Sequence, residues 1–286
     1  HYIEYAEEMF NEAQRQKNPK YICSSTYFKI LYYYNKNEVD SVSKLVNYVK
    51  PIAERMEFFR LYFNAQKLLI YTYTYKEKYE YAINESLKML EKAEELNNTD
   101  GRIAAYSCLA SAYHETNRTK EEGEALRKAH KYVSEQTTSS TQFNVLNQLI
   151  VFSKDQKDYS SLKTYLKENK QLLQEMLSLD PDMYESYFNL YLFSEIFQTY
   201  YYTGIGKIDS AKYHIEEAQD FITPQSYIPY MALYYDASAE YYRHTKDYQA
   251  ALLYIDSALI KMKQFESAQM EYAKQLSRKA DILQEM

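Results

Sequence analysis

Three observations predict an all-α fold, a solenoid of helical hairpins. Turn residues are scarce, with 4 Gly and 5 Pro in 286 residues, whereas a strand-rich chain needs them at every strand end. A period of about 40 residues runs through the chain: Tyr33, Tyr73, Tyr113, Ser153, Tyr202 and Tyr242 are spaced 40, 40, 40, 49 and 40 apart. The same spacings, after a first step of 36, link Ala6, Val42, Ala82, Glu122, Leu162, Ala211 and Ala251, and likewise Ala13, Val49, Met89, Ala129, Asn169, Ala218 and Ala258. Finally, the connections within each period are short, which leaves room only for antiparallel neighbouring helices.

Each element follows from apolar residues at helical spacing. Residues 1–18 carry Ala6, Phe10 and Ala13 and read as the second helix of a hairpin whose first is missing. Hairpins follow at 21–56, 58–98, 100–135, 139–178, 182–222 and 227–264, turning at "YNKNEVD", "TYKEKYE", "ETNRTKE", "SKDQKDY", "TGIGKID" and "HTKDYQA". In their first helices Leu69, Ile70 and Tyr73, or Leu109, Ala110 and Tyr113, share a face; in the second helices Ala251, Ile255 and Ala258 do. The stretch 266–286, with "YAKQLSRKADILQEM", reads as a first helix with no second, as expected of a piece of a longer array. The long step of 49 falls around "LSLDPDMYESYF", where an extended helix or loop is expected to break the stacking.

These residues resemble the tetratricopeptide repeat along nearly the whole chain. The sixth hairpin fits best, with Tyr235 in the aromatic slot, Ala239 in the small slot, Tyr242 in the Tyr slot, and Ala251, Ile255 and Ala258 in the second helix. Elsewhere Ile30, Ile70, Ile150 and Thr199 fill the small slot, Glu122 replaces the first Ala and Asn169 the last. The resemblance implies a right-handed α-α superhelix whose first helices line a concave groove. The phrases Asp40-Ser41-Val42, Asp209-Ser210-Ala211 and Asp256-Ser257-Ala258, with "RKADILQEM", are similar in style to the tetratricopeptide input regions of membrane-anchored sensor kinases and regulators of Bacteroidetes. That likeness implies a periplasmic sensory module of a two-component system. A cytoplasmic scaffold or peptide-responsive regulator is the rival expectation.

The chemistry that composition excludes is as informative. Net charge is −6 with no long basic cluster, so no nucleic-acid partner is expected of this segment. The longest uncharged stretch, Gln136 to Ser153, is rich in Thr, Ser, Gln and Asn, so no membrane span is expected. His114-Glu115 opens like a zinc-protease helix, but Arg118 stands where a second His belongs. Gly204 and Gly206 suggest turn chemistry rather than a nucleotide loop, since Asp209 replaces a third glycine. His1, His114, His130, His214 and His244 show no ligand spacing. Cys23 and Cys108 fall in non-adjacent hairpins and are not expected to pair. No catalytic residues, metal or cofactor are expected.

The functional expectation is therefore a non-catalytic recognition surface. Its inward residues are Asn64, Lys67, Tyr71, Thr74 and Tyr75, then Ser107, Ser111 and His114, then Asn144, Asn147 and Lys154, with Tyr200 leaning onto the same face. In the sixth hairpin that face offers Asp236 and Glu240 beside Arg243. Hydrogen-bonding groups with a positive bias suit a ligand rich in carbonyl, hydroxyl or carboxylate oxygens: a peptide, a protein or a sugar. A homodimer is a further expected partner. Tyr73, Tyr113 and Tyr242 are expected to be mostly buried between helices.

Overall fold

A computed structural model of the chain describes residues 2–134, 137–179, 187–222, 228–264 and 269–286. It divides into two compact units, His1–Thr138 and Ser139–Met286. The first holds α1 (Tyr2–Arg15), α2 (Pro19–Asn35), α3 (Val39–Arg55), α4 (Phe59–Tyr75), α5 (Tyr79–Glu95), α6 (Thr99–Glu115) and α7 (Thr119–Tyr132). The second holds α8 (Ser139–Asp155), α9 (Tyr159–Leu179), α10 (Phe188–Gly204), α11 (Ile208–Asp220), α12 (Ile228–His244), α13 (Tyr248–Gln264) and α14 (Gln269–Glu285). Fourteen α-helices and no strand occur among the described residues.

The regularity begins in the turns. Lys17, Asn37, Glu57, Glu77, Asn97 and Asn117 follow one another at intervals of 20 residues, and all have positive φ, between 48° and 57°. Each closes the preceding helix with a Schellman pair. At the second of these hairpins Lys78 N–H donates to the Tyr73 carbonyl at 2.9 Å and Glu77 N–H to the Thr74 carbonyl at 3.0 Å. Lys157, Gly206 and Lys246 hold the same position in the second unit. The low glycine content is thus no obstacle to tight turns, because Asn, Lys and Glu accept the left-handed conformation at a modest cost. The Asn98 side chain then caps α6 by accepting from Gly101 N–H at 2.7 Å, and Asp158 caps α9 by accepting from Ser161 N–H at 3.1 Å.

Within each unit a first helix packs on its own second helix, on the preceding second helix and on the next first helix. In the first unit α4 meets α3, α5, α2 and α6; in the second, α12 meets α11, α13 and α10. The second helices bury a stripe at i, i+4, i+7 and i+11, as in Val42, Val46, Val49 and Ala53, or Ala251, Ile255, Ala258 and Met262. Every member of the two series that begin at Ala6 and Ala13 is buried, including the polar exceptions Glu122 and Asn169. Cys23 and Cys108 are buried and unlinked.

The first helices depart from expectation. Tyr73, Tyr113 and Tyr242 are half-buried, and the fully covered residue is the one before each: Thr72, Ala112 and Tyr241. A tyrosine carries a polar tip that is costly to bury, so the ring packs across the hairpin while its edge meets solvent. Tyr242 stacks on Tyr254 with centroids 5.2 Å apart, and Tyr73 lies 5.7 Å from Tyr81. The tyrosine runs distribute differently in the two units. Tyr32, Tyr33 and Tyr34 are all half-buried, whereas Tyr200 and Tyr201 are buried and Tyr202 is half-buried against His214.

The expected break after the fourth hairpin has one described component: α9 runs 21 residues, against 17 for most of the other helices. Residues 180–186 of that segment lie outside the described residues, as does His1. Gly204 is explained by packing, since a Cβ there would come within 2.2 Å of the Tyr159 ring.

Candidate functional site

In the first unit the faces of α4 and α6 carry most of the expected set. Helical spacing puts Asn64, Lys67, Tyr71 and Thr74 on one side of α4, where all four are half-buried, while Tyr75 is 58% exposed. Thr74 Oγ1 donates to the Ile70 carbonyl at 3.1 Å. The Tyr75 ring lies 6.0 Å from that of Tyr34, their hydroxyls 3.3 Å apart. Tyr71 hydrogen-bonds the sulfur of Cys108 on α6, and the Lys67 ammonium acts on the same thiol. Burial pushes the Cys108 thiol up to about 12 in spite of both, so it is an inert core sulfur. Among the described residues, neither Lys67 nor Asn64 has an ion-pair or hydrogen-bond partner. Ser111 is half-buried and donates to the Ser107 carbonyl at 3.2 Å; Ser107 itself is fully buried between helices, a small side chain turned into the packing rather than toward a ligand.

Two other members of the set have internal partners. His114 Nδ1 stands 3.0 Å from Glu122 Oε1, and Asn169 Nδ2 donates to Asn147 Oδ1 at 3.0 Å. Glu122 and Asn169 are the two second-helix positions where a polar residue replaces the repeat's Ala, and they are only 8% and 1% exposed. A buried polar group needs a partner. The first helix of the same hairpin supplies it, so His114 and Asn147 complete the core before they can serve a ligand. Asn144 is exposed, and no hydrogen bond engages it among the described residues.

In the second unit the same face of the first helices is closed by charge. Lys154 of α8 pairs with Asp155 at 2.8 Å and lies 4.9 Å over the Tyr200 ring of α10. Tyr200 is buried, and its hydroxyl donates to Asp236 on α12, which is 3% exposed. Both Asp236 oxygens also accept from Arg278 Nη1 on α14. Burial by itself raises the Asp236 carboxyl; the charges of Arg278 and Lys154 and the hydrogen bonds from Arg278 and Tyr200 overcome it and hold the group below its ordinary range. Burial beside that carboxylate drives the Tyr200 hydroxyl well above its usual value. Further along, Arg243 Nε donates to both oxygens of Glu285 at 3.1 and 3.0 Å. Tyr200, expected on an accessible face, is therefore an interior contact because its hydroxyl reaches a buried acid. Arg278 is the residue that sequence reasoning missed.

Among the described residues no group of three His, Cys, Asp or Glu side chains is placed to hold a metal ion, and no helix is long and apolar enough to cross a membrane. The helices and their packing define an all-α helical-repeat protein. No family model matches the chain, and no curated protein does. Among solved structures it is similar to the crystal structure of BtubC (BKLC) from P. vanneervenii, at 18% identity over 93% of this chain and 92% of that one, with a TM-score of 0.44.

Proposed function

We propose that the chain is a non-catalytic recognition module and that the face of α4 and α6 in the first unit takes its ligand. The observation that carries this reading is Lys67: a half-buried ammonium with no carboxylate in ion-pairing distance among the described residues, one turn from the unengaged amide of Asn64 and from Tyr71. An ammonium with spare donors beside flat tyrosine rings favours carboxylate, carbonyl or hydroxyl oxygens, as on a peptide or a sugar. Thermal-shift screening against peptides and oligosaccharides identifies the ligand class. Lys67→Ala with Asn64→Ala is then expected to weaken binding by about tenfold or more without loss of the fold. Unchanged affinity overturns the site.

The biological setting follows the sequence resemblance: the sensory input region of a bacterial signal-transduction protein of the two-component type, held in the periplasm. The full-length gene product tests it. A leader, a membrane segment and an output domain support the reading; a gene product without them favours a cytoplasmic scaffold built on the same face.

A further inference from the structure

Neither α2 nor α4 contains a single Asp or Glu, although the chain carries 40 acidic residues. Of the cations on these two helices, Lys29 is held by Glu7 of α1 at 2.8 Å. Lys20, Arg60 and Lys67 have no carboxylate in ion-pairing distance among the described residues, and Lys20 and Arg60 are exposed. Helical spacing sets Arg60, Asn64, Lys67 and Tyr71 on one side of α4. Tyrosines of α2 border that helix at two levels. Tyr27 lies close enough to Arg60 for the guanidinium charge to oppose the rise that burial gives its hydroxyl, and Tyr34 meets Tyr75 with rings 6.0 Å apart. The result is an acid-free strip of cations between flat rings.

We propose that this strip takes an acidic oligosaccharide, a chain of uronic acid units whose carboxylates pair with Arg60 and Lys67 while its rings lie against the tyrosines. This rests on the Lys67 face being the ligand site and names the class of ligand that the site takes. Arg60 and Lys67 stand seven residues apart, about 10 Å along the helix axis, a step that two sugar rings span. Each cation gives a carboxylate charge-assisted hydrogen bonds that a neutral sugar cannot match. The tyrosines offer apolar ring surface to the C–H faces of the sugars and a hydroxyl at the edge. An acidic peptide would satisfy the cations equally well, but it brings a backbone N–H at every residue. The strip is rich in donors, and its acceptors are the Asn64 amide oxygen and hydroxyl groups, with no carboxylate to take those N–H groups. Sugar hydroxyls accept as readily as they donate, so they suit such a surface better.

Calorimetric titration of the full chain with hexamers of galacturonate, glucuronate and mannuronate tests it. Maltohexaose serves as the neutral sugar, and hexaglutamate, acetylated and amidated at its ends, as the peptide of equal charge. At least one uronate hexamer is expected to bind about tenfold or more tightly than either comparator. Arg60→Gln and Lys67→Gln are each expected to weaken that binding by about tenfold. Arg60 is exposed, so its exchange leaves the core intact. No binding of any uronate, or binding of maltohexaose as tight as theirs, overturns the proposal. Hexaglutamate binding that equals or exceeds theirs and is lost in Lys67→Gln also overturns it, while leaving the Lys67 face as the ligand site. Uronate binding indifferent to both substitutions contradicts the proposal and that face together.

Discussion

Tyr27, Lys67, Ser107, Asn147, Ile196 and Asp236 occupy one register of the repeat, at steps of 40, 40, 40, 49 and 40. Lys67 in the first unit and Asp236 in the second are therefore the same structural position put to opposite use. Each stands near a tyrosine of the next register, Tyr71 and Tyr200. Tyr71 reaches a neutral, buried thiol and Lys67 stays available; Tyr200 reaches Asp236 and the acid is taken by Arg278. The repeat fixes where a side chain stands, and the residue two helices further on decides whether that place is open or closed.

The sharpest break in this comparison comes from removing the closure. Arg278→Ala leaves Asp236 buried beside Lys154 without its main partner, and is expected to cost the second unit about 3–5 kcal/mol, read by denaturant melts. Acid probes the same group without mutation. Its carboxyl is held below the usual range when folded, so its stabilising contribution is complete above the unfolded value of about 3.9 and is lost as pH falls through the folded one. Hydrogen exchange below pH of about 4 is expected to show α12 and α14 opening before α4 and α6. A smaller effect is expected at the cross-hairpin amides. Asn147→Ala removes the partner of Asn169 and is expected to destabilise by about 1–3 kcal/mol, whereas a ligand-facing asparagine would cost almost nothing. Smaller still, and of opposite sign, Glu77→Gly relieves a left-handed glutamate at φ 57° and is expected to raise stability by about 1 kcal/mol.

Much of this architecture was legible before any coordinate. The second-helix series through Ala6 and Ala13 marks buried positions throughout, because small and aliphatic residues recur there with little ambiguity. At Tyr73, Tyr113, Tyr202 and Tyr242 the first-helix series lands one residue off the buried position, since a tyrosine is amphipathic and tolerates a boundary, whereas its one serine, Ser153, is itself buried. In the turns it was the conformation that stayed hidden: Lys17, Glu57 and Glu77 adopt positive φ with no glycine to announce it. Of the candidate site, Asn64, Lys67 and Asn144 stand open, while Ser107 and Tyr200 are interior and His114 and Asn147 are bonded within their hairpins. A signal for the last two was present. Glu122 and Asn169 break an apolar stripe, and such breaks demand partners across the hairpin. Nothing in the spacing of Arg278 points to Asp236, because that contact depends on how α14 settles onto α12.

Melting Lys67→Ala and Arg278→Ala side by side under identical conditions tests the contrast most directly. Lys67→Ala is expected to change stability by less than about 1 kcal/mol, as for a side chain with no internal partner, and Arg278→Ala by several times that amount. Equal losses at the two positions, or a larger loss at Lys67, would contradict an open face in the first unit and a closed one in the second.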